Sequence, residues 1–153
     1  MTAPPDTGRS RRAIPPVVLT YGVLGLAPFL APPLVGLLSP DLSRLAATGL
    51  ALYGGLILSF LGGARWGIAV AEDQPRASTV TLAMIPTLVG LALLLLPPAA
   101  QTAKLVGLAA ALSFHLVWDL RSLGLPSWYA ALRTLLTAGA VVGLVAGAVL
   151  LRG

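Results

Sequence analysis

The sequence predicts an all-α fold, a polytopic membrane helix bundle with five transmembrane helices. Three observations carry that expectation. Apolar residues make up 57% of the chain and charged residues only 10%. Roughly a quarter of a soluble domain is charged, so this chain has too little polar surface to cover a globule in water. The apolar residues fall into five runs, each long enough at about 1.5 Å per residue to cross most of a hydrocarbon core about 30 Å thick. Proline, serine and charged residues, which end helices and start turns, stand between the runs.

Residues 1–16 hold Pro4, Pro5, Pro15, Pro16 and the basic group Arg9, Arg11 and Arg12, without apolar periodicity, and read as a disordered basic tail. Arg11-Arg12 is a poor export signal, because Pro15-Pro16 interrupt its continuation; a cytoplasmic anchor for the first span is the better reading. The five-helix domain then covers residues 17–151. Its first span, Val17 to Leu38, carries Pro28, Pro32 and Pro33 and is expected to kink or unwind in its outer half.

Ser39-Pro40-Asp41 makes a turn able to cap the second span, Leu45 to Gly63. Ala51, Gly55, Ser59, Gly63 and Gly67 recur there every fourth residue and predict a packing groove. A polar loop, Ala71 to Ala77, precedes the third span, Val80 to Leu96. Pro86 lies inside that span, and its leucine-rich second half is expected to face lipid. The fourth span, Ala103 to Trp118, places Gly107, Ala111, His115 and Asp119 four apart. The fifth begins about Trp128, after Leu125-Pro126-Ser127, and runs to Leu151, with Gly139, Gly143 and Gly147 as a second groove.

The formal charge of +5 does not indicate nucleic acid, because the basic residues are scattered singly among apolar runs. With no cysteine, disulfides, thiolate metal sites and cysteine nucleophiles are excluded. For five spans, an inner N-terminus places Arg9, Arg11, Arg12, Arg65, Arg76, Arg121 and Arg133 inside, against Arg44, Lys104 and Arg152 outside. The positive-inside rule therefore expects a cytoplasmic N-terminus and a periplasmic C-terminus.

That topology gathers Arg65, Trp66, His115, Asp119, Arg121, Trp128, Tyr129 and Arg133 at the cytoplasmic ends of spans two, four and five. Tryptophans at such depth ordinarily form the interfacial belt, and Arg65 and Arg121 fit the positive-inside rule. Arg133 lies five residues beyond Trp128, deep enough to need a partner. Asp119 is the carboxylate available to it, so an Asp119–Arg133 ion pair is expected, with Arg65 as competitor. His115 reads as a hydrogen-bonded packing residue, with a proton relay through Asp119 as the alternative. Phosphate-binding, zinc-hydrolase and serine-nucleophile signatures are missing, so neither catalysis nor a metal or cofactor is expected.

The blocks Tyr53-Gly54-Gly55, Ser59-Phe60-Leu61-Gly62-Gly63-Ala64-Arg65-Trp66-Gly67, and Pro126-Ser127-Trp128-Tyr129-Ala130-Ala131-Leu132-Arg133 with Leu136-Thr137, together with Pro86 and Asp119, resemble the transmembrane protein 69 family and its bacterial relatives. Ala64 stands where that pattern usually has a bulkier apolar residue. The resemblance covers Val17 to Leu151. It implies a five-span protein of bacterial inner membranes, with mitochondrial relatives in eukaryotes, and supplies no activity. The leading expectation is a non-catalytic accessory or assembly partner of a membrane complex. Alternatives are a small-solute or proton-coupled transporter and a binder of anionic lipids.

Overall fold

The computed structural model describes residues 13–122 and 125–151. Residues 1–12, which hold most of the expected tail, and Arg152 lie outside the described residues. The described chain forms helices α1 (Pro16–Leu24), α2 (Ala27–Leu38), α3 (Ser43–Val70), α4 (Ala77–Leu94), α5 (Gln101–Arg121) and α6 (Tyr129–Leu150). Short 3-10 turns at Pro40–Leu42 and Pro98–Ala100 precede α3 and α5. With α1 and α2 taken as one broken span, five stretches are long and apolar enough to cross a membrane.

The break in the first span falls at Gly25-Leu26 rather than at the Pro32-Pro33 pair. Pro28 has no amide hydrogen for the carbonyl of Leu24, and the chain answers with a tighter turn in which Phe29 N–H donates to Leu26 O at 2.9 Å. The Gly25 carbonyl, left outside the helix ladder, accepts the Tyr53 hydroxyl of α3 at 2.9 Å. The Tyr53 and Phe29 rings meet edge to face with centroids 4.9 Å apart, which holds the break against the centre of the bundle. Pro32 and Pro33 sit inside α2 without breaking it.

Helix α3 is the axis of the fold and touches α2, α4, α5 and α6. It continues to Val70, seven residues past the expected end at Gly63. The Gly62-Gly63 pair reads as a terminus in sequence, but Gly62 is buried where α4 crosses: a Cβ there would lie 2.8 Å from the Ala83 carbonyl. A close approach, not a helix end, accounts for that glycine. The extension carries Arg65 as a helix-interior residue turned toward the core. Neither Asp41 nor Ser127 caps a helix: the turn before α3 closes by Leu42 N–H to Ser39 O, and α6 opens with Tyr129 N–H donating to Pro126 O at 2.9 Å.

The small-residue groove of α3 also differs from its expected course. Gly55 meets Leu94, and Ser59 shares a hydroxyl contact of 3.2 Å with Thr87, but Gly63 and Gly67 have nothing within 4 Å. At 3.6 residues per turn, a four-residue spacing drifts about 40° per step, so three steps leave the face on which they started. A seven-residue spacing drifts only about 20°, and the residues that stay buried are Gly55, Gly62 and Ala69. The leucine-rich half of α4 is divided: Leu91 and Leu95 are exposed, whereas Leu94 covers Gly55 and Leu93 covers Gly107.

In the second groove Gly139 faces Leu26, Gly147 faces Leu50, and Gly143 lies directly against the Phe29 backbone. Pro33 leaves that Phe29 carbonyl without an amide donor from its own helix, and the glycine Cα lets α6 come within reach of it. Leucines Leu50, Leu58, Leu105, Leu108, Leu112 and Leu144 fill the space among α3, α5 and α6.

Gly143→Ala is expected to lower stability in detergent by about 1–3 kcal/mol, because its methyl would overlap main chain that cannot rotate away. Gly63→Ala, facing open space, is expected to leave the thermal unfolding midpoint unchanged or slightly raised. Thermal unfolding of the two variants side by side checks both.

Candidate functional site

At the end of the bundle where α3 and α5 finish and α6 begins, one carboxylate collects the charged side chains. Arg133 Nε donates to Asp119 Oδ2 at 2.6 Å, and Arg65 Nε donates to Oδ1 at 2.7 Å, with Arg65 Nη2 at 2.5 Å from the same oxygen. Arg65 is therefore not a competitor of Arg133; each guanidinium takes one oxygen. His115, one turn before Asp119 on α5, places Nδ1 3.5 Å from Oδ2, at the limit of contact. Side-chain exposure is 1% for Asp119, 2% for His115, 7% for Arg133 and 11% for Arg65.

Local helix electrostatics make the arrangement necessary. Asp119 stands in the last turn of α5, where the helix dipole is negative, and Arg133 near the start of α6, where it is positive. Each charge is unfavourable on its own helix and favourable across the interface, so pairing compensates both. Trp118 joins the cluster: the Arg65 guanidinium carbon lies 5.4 Å from the centre of its ring, and the His115 ring lies 5.4 Å from it on another side. This indole packs against the charged site.

The remaining residues of the expected polar end are dispersed. Trp66 is 45% exposed on the outer face of α3, one position away from the inward-turned Arg65. Trp128 and Tyr129 are half-buried, with ring centroids 6.1 Å apart and planes tilted by 59°; of the two, Tyr129 stays close to the cluster, within electrostatic reach of Asp119, Arg133 and Arg65. Arg121 is exposed and lines a cavity of about 640 Å³ between α3, α4 and α5, together with Ala111, His115 and Trp118. A second cavity, about 560 Å³, lies on the other side of the cluster between α1, α3 and α6, with Arg133 and Thr137 in its wall. Thr137 is a site residue that sequence reading passed over. Its spacing of four from Arg133 is the signal that could have found it.

A metal would find one imidazole and one carboxylate here, where zinc sites use three or four protein ligands. Among the described residues there is no group of three potential ligands.

Five apolar spans closed at one end by a buried, three-membered charge cluster define a polytopic membrane helix bundle. The chain belongs to the family described as protein of unknown function, DUF3429, which matches residues 14–149. It is similar to Transmembrane protein 69 of Xenopus tropicalis, with 38% identity over 136 residues, covering 86% of this chain and 53% of that protein. Transmembrane protein 69 of Mus musculus is 33% identical over 137 residues, covering 86% of this chain and 55% of the relative. The chain thus spans about half the length of these curated relatives. No solved structure matches it.

Charge counting ranks the cluster's substitutions. Asp119→Asn strands two buried cations and is expected to be the most destabilising, by about 3–5 kcal/mol. Arg133→Gln follows. Arg65→Gln leaves a neutral Asp119–Arg133 pair and is expected to be the mildest. In a double-mutant cycle, Asp119→Asn with Arg133→Gln is expected to fall well short of the summed single losses; simple additivity in detergent unfolding would show that the two side chains are not coupled.

Proposed function

We propose that this protein is a non-catalytic component of the bacterial inner membrane, an accessory or assembly partner for a larger membrane complex. The observation that carries the reading is the open Gly63-x3-Gly67 pair on the outer face of α3. A Cβ added at either glycine would meet no atom of another helix within 4 Å, while Phe60 and Trp66 beside them are exposed. Small residues at that spacing permit a second helix to approach closely, and hydrocarbon gives apolar helices no other strong reason to associate. The inward glycines of α3, α5 and α6 are covered by this chain's own side chains and main chain, whereas Gly63 and Gly67 form an open pair at helix-packing spacing.

Engagement of both Asp119 oxygens by arginines supports a role other than catalysis. The transport alternative is weakened by the walls of both cavities, which are apolar along most of their length. For orientation, Arg65 and Arg133 are removed from the count because Asp119 neutralises part of their charge. Arg9, Arg11, Arg12, Arg76 and Arg121 still outnumber Arg44, Lys104 and Arg152, in favour of a cytoplasmic N-terminus.

Gly63→Leu and Gly67→Leu are expected to abolish co-purification of partner proteins after mild detergent extraction from native membranes, without changing thermal stability. If wild type itself emerges only as free monomer, with no crosslinked neighbour in the native membrane, the assembly role is wrong. Because the chain has no cysteine, single cysteines at Asp73 and Asp41 report topology directly. An impermeant thiol reagent applied to intact cells is expected to label the second and spare the first.

A further inference from the structure

The cluster around Asp119 is not electrically closed. It holds two guanidinium groups and one carboxylate, so whichever form His115 takes it carries at least one uncompensated positive charge, on side chains no more than 11% exposed. An unbalanced buried charge of this kind is expensive unless something neutralises it. Both His115 ring nitrogens and one Arg133 nitrogen are buried without a hydrogen-bond partner. Arg133 spends Nε on Asp119, whereas its Nη2 is fully buried and has no partner.

One turn deeper on α6, Thr137 shows the same incompleteness. Thr48, Ser113 and Thr134 all turn their hydroxyls back onto the carbonyl four residues earlier, at 2.8 to 2.9 Å. Thr137 does not; its Oγ1 is buried without a partner, although its residue is only 4% exposed. A helical hydroxyl held away from its own backbone is available to something else.

Both residues line the same cavity. It occupies about 560 Å³, within the range of roughly 300–1,000 Å³ usual for small-molecule sites. Its wall is otherwise built from side chains such as Val18, Leu26, Phe29, Ile57, Leu132 and Leu136. The Tyr53 hydroxyl in that wall is already engaged with Gly25, and among the described lining residues Arg133 alone is charged. The cavity is therefore lined by apolar side chains and by two residues, one helical turn apart on α6, that each hold a buried donor without a partner, one of them on a cationic side chain.

We propose that this cavity binds a single-chain acidic amphiphile, a long-chain carboxylate, with its tail in the apolar sleeve and its head on Arg133 Nη2 and Thr137 Oγ1. A monocarboxylate supplies the one negative charge that the cluster lacks and the acceptor oxygens that the two donors require. A two-chain phospholipid matches the charge as well, and its competition with the single-chain acid is the outcome that separates the two. This assignment is independent of the assembly role.

The test uses the full-length protein in a non-ionic detergent and radiolabelled palmitate as the probe. Saturable binding near one per protein is expected. Thr137→Val, which keeps the side chain's shape and leaves the ion pairs untouched, is expected to weaken binding about tenfold, the effect of one hydrogen bond to a charged group, with an unchanged unfolding midpoint. Val18→Trp, which fills the sleeve away from the cluster, is expected to abolish it. Hexadecanol, with the same chain and no charge, is expected to compete poorly. Equal palmitate binding by wild type and both variants overturns the proposal. So does competition by hexadecanol as strong as by palmitate, or displacement of palmitate by phosphatidylglycerol at lower concentration than by palmitate itself.

Discussion

The structure depends first on a single carboxylate. Among the described residues Asp119 is the one acidic side chain that is buried, and three helices send a side chain to it or carry it. In hydrocarbon an unpaired charge on any of these helices would be intolerable, so the register of α3, α5 and α6 is set by the need to bring the two arginines to its two oxygens. Leucine side chains could slide past one another by a turn at modest loss; the ion cluster cannot. It supplies specificity to a core whose apolar contacts, made largely of leucine and alanine, are close to interchangeable.

Away from the ion pairs, the helices are held by backbone proximity rather than charge. Gly62 on α3 and Gly143 on α6 bring neighbouring main chains together, and each lies near a carbonyl of another helix. Prolines provide the counterpart. Pro28 and Pro33 leave carbonyls that their own helix cannot use, and the Tyr53 hydroxyl and the Gly143 Cα stand where those strands of backbone are disturbed. Glycine, proline and tyrosine thus act as one device, in which lost intrahelical bonds are offset by contacts between helices.

Much of this was legible in the sequence, for identifiable reasons. Uninterrupted apolar runs announce spans, and Asp119 and Arg133 stand out because a charge at their depth demands an answer. The path of α3 beyond Gly63 was not legible, since a glycine pair before an arginine reads equally as a helix end and as a crossing point. A spacing of four was mistaken for a continuous face, because the drift of the helix accumulates only over several turns. Trp118 and Thr137 were missed in their roles for another reason. An indole near a helix end has a general explanation in the interfacial belt, and a threonine on a transmembrane helix ordinarily bonds to its own backbone. Only the position of neighbouring helices separates those ordinary cases from these.

Helix α1 buries none of its residues and rests chiefly on α6, while the Tyr53 hydroxyl pins the chain just after it. The molecule accordingly divides into a cooperative body and one loosely moored outer segment. That segment forms a wall of the cavity that reaches Arg133. Displacing it would cost little apolar burial and break no ion pair, so the sleeve can open sideways into the bilayer at a local free energy far below that of unfolding the body.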